Sequence, residues 1–254
     1  MTFATYPSLS GRTVFISGGA TGIGADIVRA FGANHARVAF VDVQGDAGEA
    51  LAASLKAAGE TALFLRCDVA DVPALQASIG EARAKLGPIS ALVNNAANDE
   101  RHAVADVTAE YWDRAQNVNL RHHFFAAQAV HPQMRELGHG SIINLSSIAW
   151  RRGAGEMPAY SAAKAGIVGL THALARAFGS DNIRVNAIEP GAVMTDRQRE
   201  LWYKTPESID AIVQRQSIRA ALLGDDIARM ALFLAADDSR MVTKQSITVD
   251  AGLR

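Results

Sequence analysis

The chain has 254 residues, 49% of them hydrophobic and 20% charged, with a formal net charge of -1. That composition excludes a disordered chain, and the balanced charge lacks the basic footprint that nucleic acid or an anionic membrane surface selects. The single cysteine, Cys67, cannot form an internal disulfide, no apolar stretch approaches the ~20 residues of a membrane span, and the opening MTFATYPSLSGRTVF lacks a leader pattern, so the expected setting is cytoplasmic.

The first apolar run, TVFIS (13–17), leads into SGGATGIG, which sets Gly18, Gly22 and Gly24 ahead of the helical pattern IGADIVRAFGAN (23–34). Small residues there let the backbone turn tightly, with Thr21 and Ile23 in the same turn, and approach a pyrophosphate whose charge faces the helix N-terminus. The second run, RVAFVD (37–42), ends at Asp42. A carboxylate at that point accepts hydrogen bonds from adenine-ribose hydroxyls and repels a 2′-phosphate, which points to NAD over NADP. The alternative is an ordinary turn or helix-capping carboxylate. No Arg or Lys between Gly18 and Gly22 is available to pair a phosphate.

TALFLRCDV (61–69), ISALVNNA (89–96), GSIINLSS (140–147), IRVNAIEPG (183–191) and QSITVD (245–250) complete seven expected strands. They lack strict apolar alternation, as parallel strands covered on both faces do. Helical patterns such as DVPALQASIGEARAKLG (71–87) and MPAYSAAKAGIVGLTHALARAFG (157–179) lie between them. With no linker, repeat or low-complexity tract, the expected architecture is one α/β domain over 1–254, a Rossmann-like, doubly wound parallel sheet of about seven strands with helices on both faces. Residues 192–220 precede the last strand and carry many charges, Trp202 and Tyr203. That segment reads either as a lid over a site or as a helical pair that packs its aromatics inward.

Tyr160 and Lys164 share one helix face in a run of small residues, a spacing that alone fits a solvated surface pair equally well. His122 and His123 are adjacent, so on a helix they point apart and cannot form a metal pair; no metal is expected.

Taken together, Gly18-x-x-x-Gly22-x-Gly24, Asp68-Val69, Asn94-Asn95-Ala96, Asn119, Ser147, Tyr160-x-x-x-Lys164 and Pro190-Gly191 with Thr195 resemble the short-chain dehydrogenase/reductases over essentially the whole chain. The resemblance implies that Tyr160 exchanges a proton with the substrate oxygen. Because a free phenol has a pKa of ~10, Lys164 one turn away would have to favour the phenolate. It further implies that Lys164 binds the nicotinamide ribose, that Ser147 orients the substrate oxygen, and that Asn119 holds a water linking Lys164 to solvent. Asp68 and Val69 match residues against adenine, Asn95 one near its ribose, and Pro190, Gly191, Val193 and Thr195 the nicotinamide segment. Ala162, Ala163, Gly166 and Gly169 match a face that packs between subunits, with a homotetramer expected. Two departures stand out: Ala97 where glycine is usual, and ITVDAGL where a pair of glycines is commoner.

NDERHAVADVTAEYWDRAQNVNLRHHFF, LSSIAW, PGAVMTDRQ with LWY, and DAGLR are similar to bacterial NAD-dependent sugar dehydrogenases that oxidise D-xylose or other aldoses, and to enzymes acting on 2-keto-3-deoxy sugar acids. Arg151 and Arg152 could bind a substrate carboxylate bidentately, which favours a sugar acid over the alternative of solvated loop arginines. Asn98, Asp99, Arg101 and His102 are candidates for the polyol pocket, and Arg254 for reaching a neighbouring subunit. The expected activity is NAD-dependent oxidation of a sugar or sugar-acid hydroxyl. A 3-oxoacyl thioester reductase is the alternative within the enzyme class, opposed by Asp42; a catalytically silent nucleotide-binding regulator is the alternative outside it.

Overall fold

The computed structural model describes residues 3–253, so the expectation for Arg254 lies outside the described residues. The β-branched and aromatic runs form seven strands: β1 (Thr13–Ser17), β2 (Arg37–Asp42), β3 (Ala62–Arg66), β4 (Ile89–Asn94), β5 (Gly140–Leu145), β6 (Ile183–Pro190) and β7 (Ser246–Val249). All pair in parallel, in the order β3-β2-β1-β4-β5-β6-β7. The first two strands end where the sequence reading ends them. The other five are shorter than expected, most at their C-terminal ends, because residues such as 67–69 and 95–96 leave the ladder there to line a cleft.

Ten helices fill the connections among the described residues: α1 (Gly22–Ala33), α2 (Gly45–Ala57), α3 (Val72–Leu86), α4 (Ala109–Gln116), α5 (His122–Leu137), α6 (Ala149–Arg152), α7 (Pro158–Phe178), α8 (Asp196–Leu201), α9 (Pro206–Val213) and α10 (Gly224–Ala235). Successive side chains of a strand point to opposite faces, so each strand feeds two cores. Val14, Ile16, Val38 and Phe40 join Phe31 of α1, Leu55 of α2 and Leu232 of α10. Phe15, Ala39 and Val41 join Ile79 of α3, Val130 of α5 and Leu174 of α7 on the other face. Burying a Leu, Ile or Phe side chain fully contributes about 1.5–3 kcal/mol, which is why these strands carry almost no polar residues. The doubly wound arrangement of seven parallel strands is thus the one expected.

Strand order reverses between β1 and β4, and in such sheets the crevice beyond the strands' C-terminal ends at that reversal takes the ligand. Two local features shape that end of the molecule. Asn117–Arg121 is a π-helical turn that joins α4 to α5, a device common at functional sites. The segment 192–220 folds into α8 and α9, capped by Thr195 and Thr205, whose hydroxyls accept from Gln198 N and Ser208 N. Ala251, in the unusual DAGL ending, sits at φ 54, a left-handed conformation normally left to glycine.

Candidate active site

A cleft of about 1480 Å³ runs along the C-terminal ends of the strands, larger than the ~300–1,000 Å³ that holds one drug-sized molecule. Its lining begins at Gly18, Thr21, Gly22, Ile23 and Gly24, passes Asp42, Asp68 and Val69, and ends among Ser147, Tyr160, Lys164, Pro190, Gly191, Val193 and Thr195. Residues expected from five separate strand ends therefore meet along one surface.

The glycine turn is closely packed. Gly18 adopts φ +66, and a β-carbon on it would come within 2.6 Å of Ala96 Cα. At Gly24 a β-carbon would meet Gly18 O at 1.8 Å, so the helix N-terminus approaches the turn only without a side chain. Asp42, almost fully buried, accepts Ala20 N on Oδ2 at 3.0 Å and Gln44 N on Oδ1 at 3.1 Å. The turn-bracing reading of Asp42 and the ribose reading are therefore compatible: each oxygen keeps a further lone pair, and the residue lines the cleft. Asn95 departs from expectation. Its amide Nδ2 donates to Ser17 O and Gly18 O at 3.2 and 2.8 Å, which makes it a brace behind the glycine turn rather than a free group for the ribose. The turn, the carboxylate at the end of β2 and the cleft's length fit a nicotinamide dinucleotide.

At the far end, Lys164 Nζ lies 5.3 Å from the Tyr160 ring centroid, so the pair on α7 converges as its spacing implies. Lys164 is fully buried and donates to Leu145 O at 2.7 Å. Burial lowers its ammonium to about 7, while the charge of Asp99 acts in the opposite direction. The expectation that Lys164 depresses the phenol is not met in the protein alone. Burial, helped by the Asp99 charge, holds Tyr160 well above the usual phenol range, and a hydrogen bond with Ser147 only partly opposes it. The physical reason is that desolvation of a phenolate outweighs the field of an amine that is itself half discharged near neutrality.

Asn119 sits in the π-helical turn with both ends of its side chain engaged. Its Oδ1 accepts Asn98 N at 2.8 Å, and its Nδ2 donates to Asn98 O and Ala115 O at 3.1 and 2.9 Å. The side chain thus pins the loop after β4 and has no amide left for the expected water. Gly166 faces Leu120 of the same chain, and Ala163 is buried, so that part of the small-residue face of α7 packs internally.

Arg151 requires a correction as a substrate residue. It does not line the cleft; Nε donates to Glu189 Oε2 at 2.6 Å and Nη2 to Oε1 at 3.1 Å, a bidentate pair with a fully buried carboxylate. Arg152 is exposed and lines the cleft. Asn98 also lines it, but its Oδ1 accepts Arg197 Nη2 at 3.1 Å. His102 turns inward, with Nδ1 2.9 Å from Tyr111 Oη, and does not line the cleft. Arg101 stacks its guanidinium 3.9 Å over the Trp202 ring, while Tyr203 lines the cleft.

Glu189, Arg197 and Gln198 are site-shaping residues that sequence reasoning missed. Glu189 stands directly before Pro190-Gly191, and an acidic residue near the end of a strand was the available signal. His122 and His123 are buried and neutral, His122 pushed down to about 3 by burial and Lys164, His123 bonded through Nδ1 to Asn144 Oδ1 at 3.2 Å. Among the described residues no group of three or more His, Cys, Asp or Glu is placed to hold a metal ion.

Comparison with known proteins bears on this geometry. Residues 18–254 match the family model described as enoyl-(acyl carrier protein) reductase. A probable galactose dehydrogenase of Rhizobium meliloti is 49% identical over 249 residues, covering 98% of this chain and 97% of the relative. D-xylose 1-dehydrogenase of Caulobacter vibrioides is 44% identical over 254 residues, the full length of both chains. Among solved structures, a blue fluorescent protein from a metagenomic library, in complex with NADPH, superposes with a TM-score of 0.89 at 34% identity, covering 97% of this chain and 99% of that one.

Proposed function

The chain belongs to the short-chain dehydrogenase/reductase family, and on that premise we propose that it is an NAD-dependent dehydrogenase of neutral aldoses. The observation that carries the reading is the convergence of Ser147, Tyr160 and Lys164 at one end of a cleft that starts at the glycine turn. A bound dinucleotide supplies the hydride acceptor for oxidation of a secondary or anomeric hydroxyl. Ser147 orients the substrate oxygen; Tyr160 Oη, once it has released its own proton to solvent in the cleft, takes the hydroxyl proton, while the electron pair of the C–H bond would pass as hydride to the bound dinucleotide. Lys164, fixed by Leu145 O, holds the ribose and makes departure of the Tyr160 proton easier once it carries its charge. Asn119 contributes by holding Asn98 and the loop after β4 in place.

Support for the sugar class comes from the two relatives named as galactose and D-xylose dehydrogenases. Support for neutral sugars over sugar acids comes from the cleft itself: Arg151 is taken up by Glu189, Arg197 by Asp99 and Asn98, and Arg101 by the Trp202 ring, while Arg152 shares the lining with Asp99, Glu100, Glu156 and Glu200. Preference for NAD rests on Asp42 and on the absence of a cation from residues 18–22. Segment 192–220 acts as a lid in this reading. A homotetramer and a cytoplasmic setting belong to the same proposal; exposed Ala162 and Gly169 on α7 leave small-residue surface for another helix.

A 3-oxoacyl thioester reductase is the second reading, favoured by relatives named as 3-oxoacyl-[acyl-carrier-protein] reductases at 34% and 31% identity. The test is a spectrophotometric screen for nicotinamide reduction and oxidation with both cofactors, against aldoses, aldonates, 2-keto-3-deoxy acids and an acetoacetyl thioester. Aldose oxidation with NAD is the expected result; thioester reduction with NADPH alone would replace this reading with the second.

A further inference from the structure

Asp99 stands on the loop after β4, lines the cleft and keeps its side chain 21% exposed. Its Oδ2 accepts a 2.5 Å hydrogen bond from Gln198 Nε2, while Oδ1 has only Arg197 Nε and Nη2, each at 3.4 Å. A charged N–H···O contact normally closes to about 2.7–2.9 Å. One oxygen is therefore held tightly by α8, and the other is held in place by long contacts with accepting capacity to spare. The same carboxylate is near enough to Tyr160 and Lys164 for its charge to raise the proton affinity of both. A latch between loop and lid would need neither the spare lone pairs nor the proximity to the reacting groups.

Resting on the aldose reading of this cleft, we propose that Asp99 is the substrate-recognition carboxylate. Its Oδ1 accepts a hydrogen bond from a sugar hydroxyl beside the reacting carbon, and its charge excludes ligands that carry a carboxylate at that carbon. Hydroxyls are donors that a carboxylate binds more strongly than an amide does, and two carboxylates within a few ångströms repel. Arg197 and Gln198 are the positioning residues: they fix the carboxylate's rotamer from the lid side, so that closure of α8 and reading of the hydroxyl occur together.

The experiment uses the full-length protein with NAD, D-galactose and D-xylose as substrates, and the matching aldonates as inhibitors, since an aldonate places a carboxylate at the carbon that reacts in the aldose. Asp99→Asn is expected to raise the aldose KM about tenfold, with a smaller change in kcat, and to tighten aldonate inhibition about tenfold. Arg197→Met loosens the lid yet keeps the carboxylate, so aldonate inhibition is expected to stay as weak as in the parent. Asp99→Ser serves as a second charge-removing variant, with NADH fluorescence confirming an intact cofactor site. Aldose turnover in the parent with KM and aldonate inhibition unmoved in both Asp99 variants overturns this inference alone. Equal tightening of aldonate binding in Arg197→Met also overturns it, because the lid rather than the charge would then be the filter. A parent protein that oxidises no aldose overturns the substrate reading and the inference with it.

Discussion

Arg151 grips Glu189 bidentately, Nε to Oε2 at 2.6 Å and Nη2 to Oε1 at 3.1 Å, and so ties the loop after β5 to the last turn of β6. Ser246 Oγ and Thr248 Oγ1 on β7 donate to the same carboxylate, which fully buried Glu189 needs to offset desolvation. The pair therefore holds Ser147 and Pro190-Gly191 on a common frame. Burial pushes the Glu189 carboxyl up, but the Arg151 and Ser246 hydrogen bonds win and leave it below the ordinary range.

From that pair follows a stability prediction. Removing one partner of a buried ion pair costs about 3–5 kcal/mol, and partial exposure of Arg151 reduces this to about 2 kcal/mol for Arg151→Met. Because the folded carboxyl is depressed, the stabilisation is complete above the unfolded value of ~4.3 and fades as pH falls through the folded one. Urea unfolding of parent and variant should thus differ at neutral pH and converge on acidification. A difference that persists unchanged in acid contradicts the assignment.

Lys164 yields a pH effect of the opposite sense. Its folded value of about 7 lies below the unfolded amine, so between the two the unfolded chain binds more protons and stability rises with pH. The ligand-free protein should gain stability from pH near 7 towards 10, and Lys164→Met should flatten that rise. An unchanged slope in the variant would show that another group is responsible.

Asp42 braces the glycine turn, and in the proposed reading it also selects the cofactor. Asp42→Ala removes the acceptor of Ala20 N and the charge that repels a 2′-phosphate, so it should lose about 1–2 kcal/mol of stability and shift the NAD-to-NADP ratio of kcat/KM at least about tenfold towards NADP. Thermal unfolding and steady-state kinetics with both cofactors measure the two effects separately. A ratio that does not move leaves Asp42 only as a brace.

Strands were legible in the sequence because a doubly covered parallel sheet demands unbroken apolar runs, and β1 and β2 end where their runs end. Runs that continue past the ladder, such as Cys67–Val69, misled only about length, since those residues line the cleft wall instead of pairing. Gly18, Gly24, Asp42, Tyr160 and Lys164 were legible because their chemistry is local or bound to helical spacing. Arg151 was not: its partner lies 38 positions away, and a guanidinium beside a substrate loop looks the same whether it faces ligand or protein. The bonds by which Asn119 and Asn95 satisfy backbone groups of neighbouring loops were illegible for the same reason. The contact of Arg197 with Asp99, across 98 positions, likewise exists only once α8 has folded over the cleft.

The proposed mechanism rests on the Tyr160 oxygen as the group that takes the substrate proton. The most direct measurement is the single-turnover rate of NAD reduction by an aldose in Tyr160→Phe, alongside NAD binding by the same preparation. Loss of about 10²–10⁴-fold in the hydride-transfer rate with dinucleotide affinity unchanged is the predicted result. A variant that reduces NAD at the parental rate would contradict it.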